Sequence, residues 1–97
     1  MSNRRPLVAG NWKLNGSRAA NAALISALRA GLSAQSRADV VVCPPYVYLS
    51  EVFAAIHDSV IKLGAQNVAT EDSGAFTGEV AAGMLRDVGC EFVIIGH

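Results

Sequence analysis

Apolar runs of strand length, near residues 6 to 11, 39 to 43, 60 to 65 and 91 to 95, alternate with stretches whose apolar residues recur three and four positions apart. A short continuous apolar run suits a buried strand and a period near 3.6 suits a helix, so the alternation predicts repeated βα units on a parallel sheet. Asp39-Val40-Val41-Val42-Cys43 is apolar throughout after its aspartate, as a strand covered on both faces should be, and Pro44-Pro45 ends it. Leu49, Val52, Phe53 and Ile56 then form a helical face. In the first helical stretch Ser17 is the expected N-cap, and Ala20, Leu24, Leu28 and Leu32 form the expected buried stripe. The third strand leads into the only long polar loop, residues 66–78. Beyond it Thr77 is the expected cap of the next helix, Glu79 falls in its first turn, Val80, Met84 and Val88 face inward, and Gly89 ends it. Nothing interrupts the alternation, so residues 1–97 read as part of one α/β domain.

Composition strengthens this picture. The chain is 52% hydrophobic and 16% charged, against about 25% charged in soluble domains generally. That balance fits strands buried on both faces, a core that needs more chain than 97 residues supply. Eight basic and eight acidic residues cancel, which leaves no electrostatic footprint for nucleic acid or an anionic membrane surface. Arg4-Arg5 is followed by too short an apolar run for a secretory signal and no stretch approaches a membrane span, so a cytoplasmic location is expected. Cys43 and Cys90 form no CxxC pair and read as reduced core thiols, while His57 and His97 lack carboxylates at zinc-like spacing. Neither a metal nor a cofactor is expected.

Two short motifs carry candidate chemistry. Gly10-Asn11-Trp12-Lys13 follows the first apolar run, and Gly96-His97 follows the last. A lysine leaving a strand end can hold a phosphate or a developing oxyanion because a scaffold fixes its charge. Taken alone, Asn-Trp-Lys is only a polar strand terminus with an aromatic plug. If the strands close into one barrel, Asn11, Lys13 and His97 converge at the carboxyl ends, where such folds place their active sites. An ammonium, an amide and an imidazole suit proton abstraction beside a carbonyl.

Five motifs in order resemble the triosephosphate isomerase family: Ala9-Gly10-Asn11-Trp12-Lys13, Cys43-Pro44-Pro45, Gly64-Ala65-Gln66-Asn67, the segment Gly74-Ala75-Phe76-Thr77-Gly78-Glu79, and Ile95-Gly96-His97. The resemblance implies a TIM (β/α)8 barrel, of which this chain supplies about the first half as four parallel strands with intervening helices. It also implies interconversion of dihydroxyacetone phosphate and glyceraldehyde 3-phosphate through an enediolate, without a cofactor, in glycolysis and gluconeogenesis. On the matching positions, Asn11 and Lys13 bind substrate, Lys13 stabilises its anionic charge and His97 is the electrophile. The loop bearing Thr77 would enter a neighbouring subunit, which makes the whole protein a homodimer; locally, Thr77 reads as a helix cap.

The family's glutamate base, lid and phosphate-binding loops have no counterpart up to residue 97, so the 97-residue chain is expected to be inactive alone. The family is a standard example of a catalytic histidine held neutral by a following helix N-terminus. Here a terminal carboxylate beside His97 is expected to favour imidazolium instead. A non-enzymatic alternative is a short half-barrel that assembles in pairs to rebuild eight strands and binds sugar phosphate.

Overall fold

The computed structural model describes residues 5–32 and 38–96. Strands β1 (Leu7–Asn11), β2 (Asp39–Cys43), β3 (Ile61–Ala65) and β4 (Phe92–Val93) form one sheet in that order, and every pairing is parallel. Helix α1 (Arg18–Gly31) joins β1 to β2, a 3-10 turn at Tyr46–Tyr48 runs into α2 (Leu49–Ile56), and α3 (Ala82–Asp87) precedes β4. Sequential parallel strands with intervening helices make the curled first half of a TIM barrel, as the alternation predicts.

Register shows the slope of the curl. Leu7 pairs with Asp39, Val40 with Ile61 and Gly64 with Phe92. Extending those lines, Leu7 at the start of β1 is level with Val88, four residues before β4 opens. That stagger accrues over three junctions, near the one residue per strand implied by a shear of about 8 in an eight-stranded barrel.

Side-chain alternation divides the sheet into two faces. On the convex face Val42, Ile61, Leu63 and Ala65 pack with Ile25 of α1, Leu49, Val52 and Ile56 of α2, Leu85 of α3, and Cys90. The concave face carries Ala9, Asn11, Val41, Cys43, Gly64 and Phe92. There a Cβ on Gly64 would lie 2.8 Å from Cys43 Sγ and 3.0 Å from Val41 Cγ1, so the missing side chain is what lets β2 and β3 curve together.

The helices depart from expectation in two places. Ser17 does cap α1, its Oγ accepting the Ala20 N–H at 3.1 Å. Yet the inward residues are Asn21 and Ile25, with Leu28 and Leu32 packed against the core, whereas Ala20 and Leu24 are exposed. Asn21 turns inward because its Oδ1 accepts the Ser17 N–H at 3.3 Å, and Leu24 is left lining an open hollow beside Trp12 on the β1 side.

Thr77 does not cap α3. The helix starts at Ala82 with Ala81 before it, and Glu79 lies outside its first turn. Residues 76–79 are used instead in a tight turn, the Glu79 N–H bonding the Phe76 carbonyl at 3.0 Å, with Gly78 at φ 89 in the position that favours glycine. Ala81 and Leu85 take the buried side and Met84 is exposed. Gly89 follows the helix end as expected, at φ 103.

Candidate active site

Three strand ends meet at the carboxyl edge of the sheet. The Trp12 N–H bonds the Cys43 carbonyl at 3.1 Å, carrying the β1–β2 pairing one residue beyond Asn11. The chain then turns sharply, and Lys13 takes φ 56, the only positive φ at a non-glycine position among the described residues. A left-handed backbone costs an L-residue about 1–2 kcal/mol, and such strain persists where surrounding bonds impose it.

Those bonds are visible. Asn11 Oδ1 accepts the Lys13 N–H at 2.9 Å. On the other side Gln66 Nε2 gives one hydrogen to the Lys13 carbonyl at 2.8 Å and the other to the Cys43 carbonyl at 2.9 Å. One amide at the end of β3 thus ties down the ends of β1 and β2. Asn15 Nδ2 donates to the Trp12 carbonyl at 2.9 Å, and the Tyr48 hydroxyl donates to the Gly16 carbonyl at 3.2 Å, closing the loop into α1.

This geometry presents chemistry outward. With Oδ1 engaged, Asn11 keeps Nδ2 as a donor for a ligand. Lys13 is exposed and joins no ion pair among the described residues, so its ammonium is open to an anion. Asn11 and Lys13 are therefore brought together, with Gln66 as the residue that fixes them. Sequence alone assigns Gln66 no role; the signals were an amide directly after a buried strand and its place in the Gly64-Ala65-Gln66-Asn67 motif.

The described remaining candidates stand apart. His97 lies outside the described residues; the chain before it runs up beside β3, the Ile94 N–H bonding the Ala65 carbonyl at 2.9 Å. Thr77 sits exposed in the turn of the long loop, whose base is closed by the Ala69 N–H on the Val80 carbonyl at 2.8 Å. Glu51 pairs with Arg18 at 3.2 Å on α2, Glu91 pairs with Lys62 at 3.7 Å at the foot of β4, and Glu71 accepts the Thr70 hydroxyl at 2.7 Å. None of these three carboxylates pairs with Lys13. Both cysteines are buried and unbridged; burial pushes the Cys43 thiol up, and burial followed by the neighbouring Cys43 pushes Cys90 up to about 11. No group of three metal-ligating side chains occurs among the described residues, and none of their helices is long and apolar enough to cross a membrane.

Staggered parallel βα units with ligand-ready side chains at the carboxyl edge define a chain of the (β/α)8-barrel class. Comparison narrows the class: the family model for triosephosphate isomerase matches residues 6–97, and the chain belongs to that family. It is 54% identical over 94 residues to the triosephosphate isomerase of Nitrosococcus oceani, 51% over 94 to that of Methylococcus capsulatus and 53% over 95 to that of Magnetococcus marinus. Each match covers 97% of this chain but only 37–38% of the relative, so the chain spans less than two fifths of the curated relatives it matches.

Proposed function

We propose that residues 1–97 are the N-terminal part of a single barrel that interconverts dihydroxyacetone phosphate and glyceraldehyde 3-phosphate, and that they supply its charge-stabilising side chains. The observation that carries this reading is Lys13, held in a strained backbone between the Asn11 and Gln66 side chains. When a base takes the proton from the carbon beside the substrate carbonyl, negative charge grows on oxygen. A fixed ammonium at Lys13 and the Asn11 Nδ2–H stabilise that charge without reorganising at the moment of reaction. His97 serves as the electrophile that donates toward the enediolate oxygens. None of the described carboxylates is bonded to Lys13 or Asn11, proton abstraction is assigned to a carboxylate outside these residues, and the 97-residue chain alone is inactive. The reaction needs no cofactor and belongs to cytoplasmic glycolysis and gluconeogenesis.

Homodimerisation of the complete protein is part of this proposal. Leu14 is 97% exposed and Val47 80% exposed near the carboxyl edge, and the loop bearing Phe76 and Thr77 projects without cover. Apolar residues so placed suit a loop from a neighbouring subunit.

The test joins this chain to the remainder of the Nitrosococcus oceani enzyme and measures triose phosphate isomerisation. Activity is expected in the fusion and not in the chain alone. Lys13→Met, which keeps the stem and removes the charge, should lower kcat by at least about 100-fold, the scale of one lost oxyanion donor. A folded but inactive fusion, or full activity in Lys13→Met, would sink the proposal.

A further inference from the structure

The loop that carries Lys13 is fastened at its far end as well as at its start. At the start, the Trp12 N–H bonds the Cys43 carbonyl at 3.1 Å. At the far end, the Tyr48 hydroxyl donates to the Gly16 carbonyl at 3.2 Å. Cys43 and Tyr48 belong to one stiff segment, in which Pro44 and Pro45 each fix a backbone angle and the Tyr48 N–H bonds the Pro45 carbonyl at 3.0 Å. That segment sets the span between the two ends of the loop. Between them the Asn15 amide donates back to the Trp12 carbonyl at 2.9 Å, so residues 12–16 move as one piece.

Gly16 is also gripped from both sides. It takes φ 139, where glycine alone sits without strain. A Cβ there would lie 3.0 Å from Tyr48 Cε2 and 3.0 Å from Asn21 Oδ1, so a side chain would force the slot open. Asn21, buried on α1, secures the next residue: its Oδ1 accepts the Ser17 N–H at 3.3 Å, and its own N–H bonds the Ser17 carbonyl at 2.8 Å. The Tyr48 ring thus holds Gly16 against the fixed entry of α1.

We propose that Tyr48 is a positioning residue for Lys13, its hydroxyl holding residues 12–16 so that the ammonium meets an anionic substrate at one fixed place. The assignment rests on the isomerase reading of Lys13 and extends it to a residue beyond the strand ends. Gln66 holds the Lys13 carbonyl; Tyr48 stops the other end of the loop from swinging about that tie. A charge stabilises a transition state best when it needs no reorganisation, and small misplacements lower the rate steeply.

The test uses the fusion with the remainder of the Nitrosococcus oceani enzyme. Tyr48→Phe keeps the ring on Gly16 and deletes the hydroxyl, so kcat/KM should fall about 3- to 10-fold, the worth of one hydrogen bond. In a Lys13→Met background the same change should have no further effect, because the group being positioned is gone. A residue that merely supports the fold would lower kcat/KM alike in both backgrounds. Gly16→Ala, which pushes a methyl into the slot, should repeat the pattern. The Lys13 amide and Hα shifts should move in Tyr48→Phe, and they judge the clamp without an activity measurement. An inactive unaltered fusion would therefore remove the isomerase reading while unchanged Lys13 shifts would remove the clamp. Equal losses in both backgrounds, or unchanged kcat/KM in Tyr48→Phe, would also overturn the proposal.

Discussion

Gln66→Leu tests the proposition that one amide organises the carboxyl edge. The substitution keeps most of the side-chain volume and deletes both hydrogen bonds from Nε2, at 2.8 Å to the Lys13 carbonyl and 2.9 Å to the Cys43 carbonyl. Cys43 keeps a partner, because its carbonyl still accepts the Trp12 N–H, and the Lys13 carbonyl is near enough to the surface to find water. Two net bonds of about 1 kcal/mol each, reduced by that rehydration, give an expected loss of about 1–2 kcal/mol. This is comparable with the left-handed penalty at Lys13, about 1–2 kcal/mol, so Lys13 should leave its φ of 56° once the tie is cut. Urea unfolding at fixed protein concentration measures the first effect, and the Lys13 amide and Hα chemical shifts measure the second. Gln66→Glu sharpens the test, since a carboxylate facing two carbonyl oxygens has its folded pKa raised. Stability in that variant should therefore be greatest at low pH and be lost as pH rises through the folded value. Unchanged stability together with unchanged Lys13 shifts in Gln66→Leu would refute the argument.

Lys13→Gly removes the left-handed penalty at a smaller entropic cost, so it should stabilise the chain by about 0.5–1 kcal/mol in urea while abolishing anion binding; destabilisation would show that Lys13 is not strained. Gly64→Ala forces a methyl against Cys43 Sγ and Val41 Cγ1, and the unfolding midpoint should reveal a cost of about 1–3 kcal/mol. Adding Cys43→Ala should recover part of it, and strict additivity in that cycle would refute the contact. Burial holds Cys90 protonated up to about 11 against an ordinary 9.0. Because the folded value is the higher one, its stabilisation is complete below about 9 and is lost as pH rises toward 11, which a pH series of urea midpoints checks. At pH 8 neither thiol should react with a disulfide reagent until the chain unfolds.

Much of the fold was legible because burial on two faces leaves an unambiguous trace. Val40 to Cys43 is apolar without alternation and Ile61 to Ala65 is apolar but for Lys62, and they became the central strands. Ser17 was readable as a cap because capping is a local bond between neighbours in sequence. The inward face of α1 was displaced by one residue because periodicity reports which residues are apolar, not which of them find cover. Leu24 is apolar but faces a hollow, whereas polar Asn21 is buried by its bond to the Ser17 backbone. The start of α3 was misplaced for a related reason, since Thr77-Gly78 satisfies a turn as well as a helix entry.

At the site, sequence determined which groups are present: the Lys13 ammonium, the Asn11 amide and the Gln66 amide. It also placed them at strand ends, because the apolar runs stop there. Tertiary structure alone decided that Lys13 turns left-handed, that Asn11 spends its oxygen on the Lys13 N–H, and that Gln66, 53 residues from Lys13, secures both neighbouring strands. Those bonds join residues that become neighbours only when parallel strands settle into register, a long-range choice made by the hydrophobic faces of the whole sheet rather than by any local pattern.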